Sequence, residues 1–218
     1  VFIALAALPL FWAGRLSPIL RGKSSFGVFA FLLIAPTLAA GIWVSAFKEM
    51  AIGALLPVYG VRTGLTDGEA AMMLTAAAVG ALLFQFPLGW LIDKVNRYGV
   101  LIGCAIVGAL GIALLPTMVS AGGVWLWVGL CAWGGIFSGV YTASMAIVGQ
   151  RFRGQELVTA NAALGLLWGL GALMGPTTAG VAMDIWDPNG LPGTIVVLTA
   201  LFVLFAVVRR VYVRFGTK

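Results

Sequence analysis

Two adjacent charged residues, Lys48 and Glu49, interrupt an apolar run that extends from Phe26 to Tyr59. A charge at the centre of a bilayer costs at least about 2.5–3.5 kcal/mol, so such residues usually face a cavity and have a function. Glu49 could carry a proton or bind a cation, and Lys48 could neutralise it or bind an anionic group. Neighbours lie about 100° apart on a helix, so the two need not pair with each other. Alternatively, both side chains extend towards the outer interface.

Several uncharged polar residues also lie within apolar runs of the sequence. Such side chains can contact a substrate, although hydrogen bonding between helices is their commoner use. Gln85 and Asn161 are the stronger candidates for substrate contact, because an amide in a dry environment must find partners. The lesser candidates are Tyr141, Thr142, Ser144 and Trp168. Trp43 and Trp133 fit packing or the membrane interface better than an aromatic cage.

The composition places all these residues in an integral membrane protein built of helices. Of 218 residues, 61% are hydrophobic and 9% are charged, whereas a soluble domain carries about a quarter charged residues. Inside lipid only helices and closed barrels satisfy the backbone, and barrel strands would alternate apolar and polar residues. The continuous apolar runs instead fit helices that cross about 30 Å of hydrocarbon. The predicted fold class is therefore all-α, a polytopic helix bundle whose surroundings are the lipid bilayer.

Charged and proline-containing loops divide the chain into six full spans and one partial span. The full spans are predicted at residues 26–59, 70–92, 98–118, 124–149, 157–183 and 190–208. Residues 1–13 give the partial helix and residues 14–25 a basic connector, so we divide the chain into segment 1–25 and a six-helix bundle at 26–218. Thr66 or Asp67 can cap the second full span.

Basic residues predict how the spans are oriented. Eleven of the thirteen Lys and Arg fall in the connector, in two short loops and in the C-terminal tail. These segments share one side of the membrane, because two spans separate each from the next. Basic loops remain in the cytoplasm, so we expect the C-terminus to be cytoplasmic. The formal net charge of +6 follows from this bias and does not indicate a nucleic-acid partner.

The sequence lacks the residues of several common catalytic sites. It contains no His, which excludes Ser/His/Asp and Cys/His nucleophile sets and His metal ligands. No glycine-rich loop followed by Lys and Ser/Thr occurs, so the chain by itself is not a subunit of an ATP-driven pump. We therefore predict no enzymatic activity, no cofactor and no metal.

The loop between the second and third full spans carries a motif. Residues 89–98 read Gly-Trp-Leu-Ile-Asp-Lys-Val-Asn-Arg-Tyr, which resembles the G-x-L-x-D-r-x-G-r-r loop of the major facilitator superfamily. The matches are Gly89, Leu91, Asp93 and Arg97, with Lys94 keeping the charge. Gly89 would let two helices approach closely. Asp93 would face a helix N-terminus and pair with Arg97. Asn96 replaces a glycine, and its tolerance of left-handed backbone angles would preserve the tight turn.

A glycine-rich segment supports the same resemblance. Residues 171–180 are similar to the G-x-x-x-G-P-x-x-G-G segment of that family, with Gly171, Gly175 and Pro176 in matching positions. Small residues four apart permit close helix packing, and Pro176 removes a backbone hydrogen bond and can bend its helix. Simple packing and a functional hinge both remain open.

The resemblance implies the C-terminal half of a transporter, namely the end of helix 6, the central linker and helices 7–12. It further implies a secondary transporter that moves a small-molecule substrate by alternating access, driven by an ion gradient, most often of protons. We expect a bacterial cytoplasmic (inner) membrane location and a missing N-terminal half or a partner chain. The alternative is a non-transporting structural or assembly subunit of a larger membrane complex, because a fold does not guarantee its usual function.

Overall fold

Proline, glycine and capping residues set the limits of the helices in residues 25–215, which are the residues described by the computed structural model. The helices are α1 (Phe31–Ile34), α2 (Pro36–Arg62), α3 (Asp67–Lys94), α4 (Arg97–Ala113), α5 (Leu115–Ala121), α6 (Gly123–Arg151), α7 (Gln155–Ile185) and α8 (Gly190–Phe215). Pro36 is the first residue of α2, a position at which no intrahelical N–H bond is lost. The all-α prediction is confirmed. The partial helix at 1–13 and nearly all of the connector lie outside the described residues, and the division at residue 25 stays a prediction.

The third predicted full span is bent. Five helices are long and apolar enough to cross a membrane, and the span expected at 98–118 is instead the pair α4 and α5, bent by 47°. The break lies at Leu114, two residues before Pro116. Pro116 has no N–H to donate to the carbonyl of Ile112, and its ring clashes with that carbonyl in a continuous helix. The next turn uses Gly122 at φ +62°, a conformation that favours glycine.

Two close helix pairs form the core of the bundle. α2 packs along α7, and α3 packs along α6, while α6 also contacts α2 and thereby joins the pairs. Glycine permits both close approaches. A Cβ atom at Gly175 of α7 would lie 2.4 Å from the carbonyl oxygen of Phe47, and one at Gly80 of α3 would lie 1.8 Å from that of Cys131. α8 completes the bundle by packing on α4, α7 and α2.

Charged residues gather at the two ends of the bundle. At one end, Arg62 at the end of α2 contacts Asp187 at 2.8 Å and Asp184 at 3.5 Å, which ties α2 to the end of α7. At the other end lie Asn96, Arg151, Arg209 and Arg210, which line one common cavity. We call this the basic end.

Aromatic residues secure the start of the described chain at the basic end. Phe26 packs edge-on against Phe152, with ring centroids 5.4 Å apart, and Phe31 lies 5.6 Å from the same ring. Ser25 donates a hydrogen bond to Glu156 in the first turn of α7. Residues 25–31 are therefore attached to the end of α6 and the start of α7.

The predicted cap at the start of α3 gives a first test of the fold. The Thr66 hydroxyl accepts from the Glu69 N–H at 3.4 Å, and the Glu69 carboxylate accepts from the Thr66 N–H at 3.0 Å. Removing the hydroxyl should lower the free energy of unfolding, so we expect Thr66→Ala to cost about 1 kcal/mol. Thr66→Ser should retain most of the stability. Unfolding in mixed micelles, followed by circular dichroism, measures both variants, and equal losses would contradict the capping role.

Candidate functional site

The two charged residues of α2 form an ion pair half-way along the helix. Lys48 Nζ lies 2.7 Å from Glu49 Oε2, although the spacing alone did not require them to pair. The Lys48 side chain is only 9% exposed, whereas that of Glu49 is 56% exposed. Each end of α2 is about 20 Å away at about 1.5 Å per residue. The pair therefore combines a buried ammonium with an accessible carboxylate.

Aromatic rings of α6 surround the buried ammonium. Lys48 Nζ lies 4.9 Å from the ring centroid of Phe137 and 5.7 Å from that of Trp133, distances at which a ring face attracts a cation. Trp133 is itself fixed, because its Nε1 donates a hydrogen bond to the carbonyl of Gly108 in α4 at 2.9 Å. Residues of three helices thus hold Lys48 in place, which excludes the alternative that it extends towards the outer interface.

The burial of Lys48 and the exposure of Glu49 determine which molecules Glu49 can contact. Its carboxylate pairs with the buried ammonium at 2.7 Å, while its exposure leaves room for a small ion to approach. An ion that approaches the carboxylate of Glu49 therefore also comes close to the buried ammonium of Lys48.

Sequence reasoning interpreted Trp133 as a packing or interface residue and did not single out Phe137. The two lie four residues apart, so they share one face of α6, and that face is buried. The spacing was visible in the sequence. The sequence did not show that Lys48 of α2 lies against this face of α6.

The two amide candidates are not part of the ion pair. Gln85 on α3 and Asn161 on α7 are both exposed. Among the described residues, neither side chain forms a hydrogen bond. They are therefore available to a bound molecule or to a second protein, and their role in substrate contact stays a prediction.

The lesser candidates divide into two groups. The hydroxyls of Thr142 and Ser144 donate to carbonyls within α6, at Ser138 and Val140. Tyr141 of α6 and Trp168 of α7 instead meet edge to face, with ring centroids 5.3 Å apart. Tyr141 is exposed, so this aromatic pair presents a surface between the two helices.

The loop motif forms the predicted ion pair. Arg97 Nη2 lies 3.3 Å from Asp93 Oδ1, and Arg97 Nε donates to the carbonyl of Ile92 at 3.1 Å. Lys94 ends α3, where a cation interacts favourably with the helix dipole. Arg97 therefore fastens the start of α4 to the end of α3.

One expectation for this loop is wrong, and another is not met among the described residues. No atom of another helix lies within 4 Å of a Cβ built on Gly89, so in residues 25–215 this glycine serves no close helix approach. Asn96 has an extended backbone with φ −62° and ψ 111°, not a left-handed one, and its side chain caps α4 by accepting from the Gly99 N–H at 3.0 Å. The replacement of glycine by asparagine thus substitutes a helix cap for a flexible turn.

The glycines of α7 are packing residues where α7 meets α2. A Cβ at Gly171 would lie 2.6 Å from the carbonyl oxygen of Trp43, and Gly175 is similarly close to Phe47. Pro176 lies inside α7, which runs without a break from Gln155 to Ile185. The close packing is thus accounted for, and the hinge stays a prediction.

Comparison with known proteins decides the family. A model described as Major Facilitator Superfamily matches residues 38–215. The chain belongs to the major facilitator superfamily. Membership of this superfamily and the apolar helices identify an integral membrane protein. No solved structure matches the chain significantly.

Several curated members of the superfamily resemble the chain. Uncharacterized MFS-type transporter YfkF of Bacillus subtilis (strain 168) is 28% identical over 167 residues, which are 75% of this chain and 40% of that protein. Uncharacterized MFS-type transporter YcaD of Salmonella paratyphi B and that of Salmonella newport are each 26% identical over 193 residues, which are 88% of the chain and 46% of the relative. The aligned part of the chain thus covers less than half the length of these relatives.

Proposed function

We propose that the chain forms one six-helix half of a proton-coupled secondary transporter that moves a small solute by alternating access. The observation that carries this proposal is the ion pair of α2, in which an exposed carboxylate half-way along a span contacts a buried ammonium at 2.7 Å. Ionisable residues at this depth mark ion and substrate pathways in membrane proteins. The family supports a transport role, and the named relatives are MFS-type transporters.

In the proposed mechanism Glu49 is the proton carrier. When Glu49 is ionised, its negative charge neutralises Lys48, and the pair has no net charge. When Glu49 is protonated, the ammonium attracts any other anionic group that enters the cavity, so proton binding and solute binding become linked. Gln85, Asn161 and the Tyr141 ring are the exposed polar groups that would contact the solute.

The exposed faces of α3 and α7 support the presence of a second bundle. Only 22% of the most apolar stretch of each helix is buried, compared with 61% for α2. These two helices carry Gln85 and Asn161, so the same faces include polar side chains that lipid would not solvate. We infer that a second six-helix bundle, in the same polypeptide or in a partner chain, covers them, and that the basic end faces the cytoplasm.

Replacing the carboxylate tests the proton coupling. The protein is reconstituted in vesicles with an imposed pH gradient, and uptake from a mixture of small metabolites and organic ions is quantified by mass spectrometry. We expect Glu49→Gln to reduce gradient-driven accumulation at least about tenfold, a change of about 1.4 kcal/mol, while solute exchange without a gradient persists.

The matched control is Asp67→Asn, which removes an exposed carboxylate at the opposite end of the bundle from the basic end. It should leave accumulation unchanged. If Glu49→Gln responded to the gradient as the unmodified protein does, Glu49 would not be the coupling residue.

The structural-subunit alternative rests on the apolar surface that remains uncovered. Large exposed side chains on α3, such as Leu82, Leu83 and Phe86, could equally contact a different membrane protein. Native mass spectrometry of gently extracted membranes distinguishes the two. A single longer polypeptide or a one-to-one pair of six-helix halves supports the transporter, whereas stoichiometric association with a large unrelated assembly, without uptake of any compound, supports a structural subunit.

A further inference from the structure

A cavity of about 690 Å³ opens at the basic end of the bundle. Four helices or their immediate flanks contribute to it, namely α2, α4, α6 and α8. Its polar lining consists of Thr37, Asn96, Tyr98, Arg151, Arg209 and Arg210. We call it the arginine cavity. It lies at a helix end and is distinct from the ion pair half-way along α2.

The charge in this cavity is of one sign. Its lining contains three guanidinium groups and no carboxylate, and in the described part of the chain none of the three arginines forms a salt bridge. Three such groups in one concavity repel each other, and a bound anion would relieve that repulsion. The cavity therefore has the electrostatics of an anion site.

Hydrogen bonds orient two of the arginines. Arg209 Nη1 donates to Thr37 Oγ1 at 3.2 Å, and Arg151 Nη2 donates to the carbonyl of Ile34 at 3.2 Å. A guanidinium has five N–H donors, so each of these groups uses one and keeps the others. Fixed, planar and incompletely used donors are suited to the oxygens of a phosphate.

The first turn of α4 adds to the positive potential. Asn96 caps this helix of 17 residues and lies in the cavity wall together with Tyr98. The N-terminus of a helix carries a partial positive charge and unpaired N–H groups, both of which favour phosphate. The arginines and the helix end thus act on the same cavity.

The position of the cavity indicates the source of the phosphate. Arg209 and Arg210 follow directly on the exposed apolar residues Leu204, Phe205 and Val208 of α8. An apolar helix face that ends in arginines meets lipid tails first and headgroups next. We propose that the arginine cavity binds a phosphate group, supplied by the headgroup of an anionic phospholipid.

Lipid titration of the purified, detergent-solubilised protein tests this site independently of transport. Native mass spectrometry would measure binding of phosphatidylglycerol and of phosphatidylcholine. We expect phosphatidylglycerol to bind more tightly, and Arg210→Gln to weaken its binding about fivefold, the effect of one cation near an anionic surface. Arg210 suits the test because within residues 25–215 its side chain has no recorded hydrogen bond whose loss could unfold the protein.

The matched control is Arg153→Gln, which removes an exposed arginine just beyond α6 that is outside the cavity wall. It should leave lipid binding unchanged, and melting temperatures would confirm that both variants are folded. Equal binding of the two lipids would overturn the proposal. So would an equal loss of affinity for phosphatidylglycerol in the Arg210→Gln and Arg153→Gln variants. If inorganic phosphate displaced phosphatidylglycerol at equal concentration, the phosphate site would stand and the lipid source would be wrong.

Discussion

Gly80→Ala is expected to lower the free energy of unfolding by at least about 1–3 kcal/mol, the range for overpacking of a well-packed core. The added methyl would lie 1.8 Å from the carbonyl oxygen of Cys131 and 2.8 Å from its Cα. These are backbone atoms of α6 and cannot rotate away as a side chain could. α3 and α6 must therefore separate along their contact. Unfolding in mixed micelles, followed by circular dichroism, gives the free energy.

The same helix provides the control for this prediction. A methyl at Gly89 meets no atom within 4 Å, so Gly89→Ala should unfold at the same denaturant concentration as the unmodified protein. Gly134→Ala should reproduce the Gly80 effect from the other side of the contact, because its methyl would lie 2.3 Å from the carbonyl oxygen of Ala77. Equal stability of the Gly80 and Gly89 variants would show that α3 and α6 are not in such close contact.

Trp133→Ala is expected to cost about 3–5 kcal/mol of folding free energy, as for other buried aromatic residues. Trp133 is 4% exposed, lies against Gly111 and donates to the carbonyl of Gly108. Its loss opens a cavity between α4 and α6 and removes one of the two rings around Lys48. The free energy of unfolding in micelles measures the effect.

Trp125→Ala is the matched control on α6. This tryptophan is 74% exposed, so its removal opens no cavity inside the bundle, and the expected change is small. Comparable destabilisation in the two variants would contradict the burial of Trp133 against α4.

The sequence predicted the parts of the fold that depend on local chemistry. Apolar runs of helix-spanning length gave the positions of the spans, since lipid leaves no alternative to an internally bonded backbone. The Thr66 cap and the Asp93–Arg97 pair were predictable because their partners lie three and four residues apart. Such contacts form as soon as the helix does.

The bend before Pro116 could not be predicted from proline alone. Pro57, Pro87 and Pro176 lie inside α2, α3 and α7, which remain continuous. In membrane helices neighbouring groups can compensate for the missing hydrogen bond. Whether a proline breaks its helix therefore depends on tertiary surroundings.

The surroundings of the Lys48–Glu49 pair were likewise not predictable from the sequence. Glu49 and Lys48 were identified because charge in an apolar run is costly, but the aromatic surroundings of Lys48 come from Trp133 and Phe137 on another helix. The surroundings of Gly89 could not be predicted for a related reason. A glycine has the same sequence neighbours whether its open side faces a helix of this chain or not.

The adjacency of Lys48 and Glu49 has an electrical consequence. Because both charges belong to α2, any displacement of this helix moves them together. While Glu49 is ionised the pair carries no net charge, and the membrane voltage does no net work on its movement. With Glu49 protonated, one positive charge moves with the helix, and crossing the full field is worth about 2.3 kcal/mol per 100 mV. If Glu49 is the proton carrier proposed above, neighbouring placement makes the response of α2 to voltage depend on whether the proton is bound.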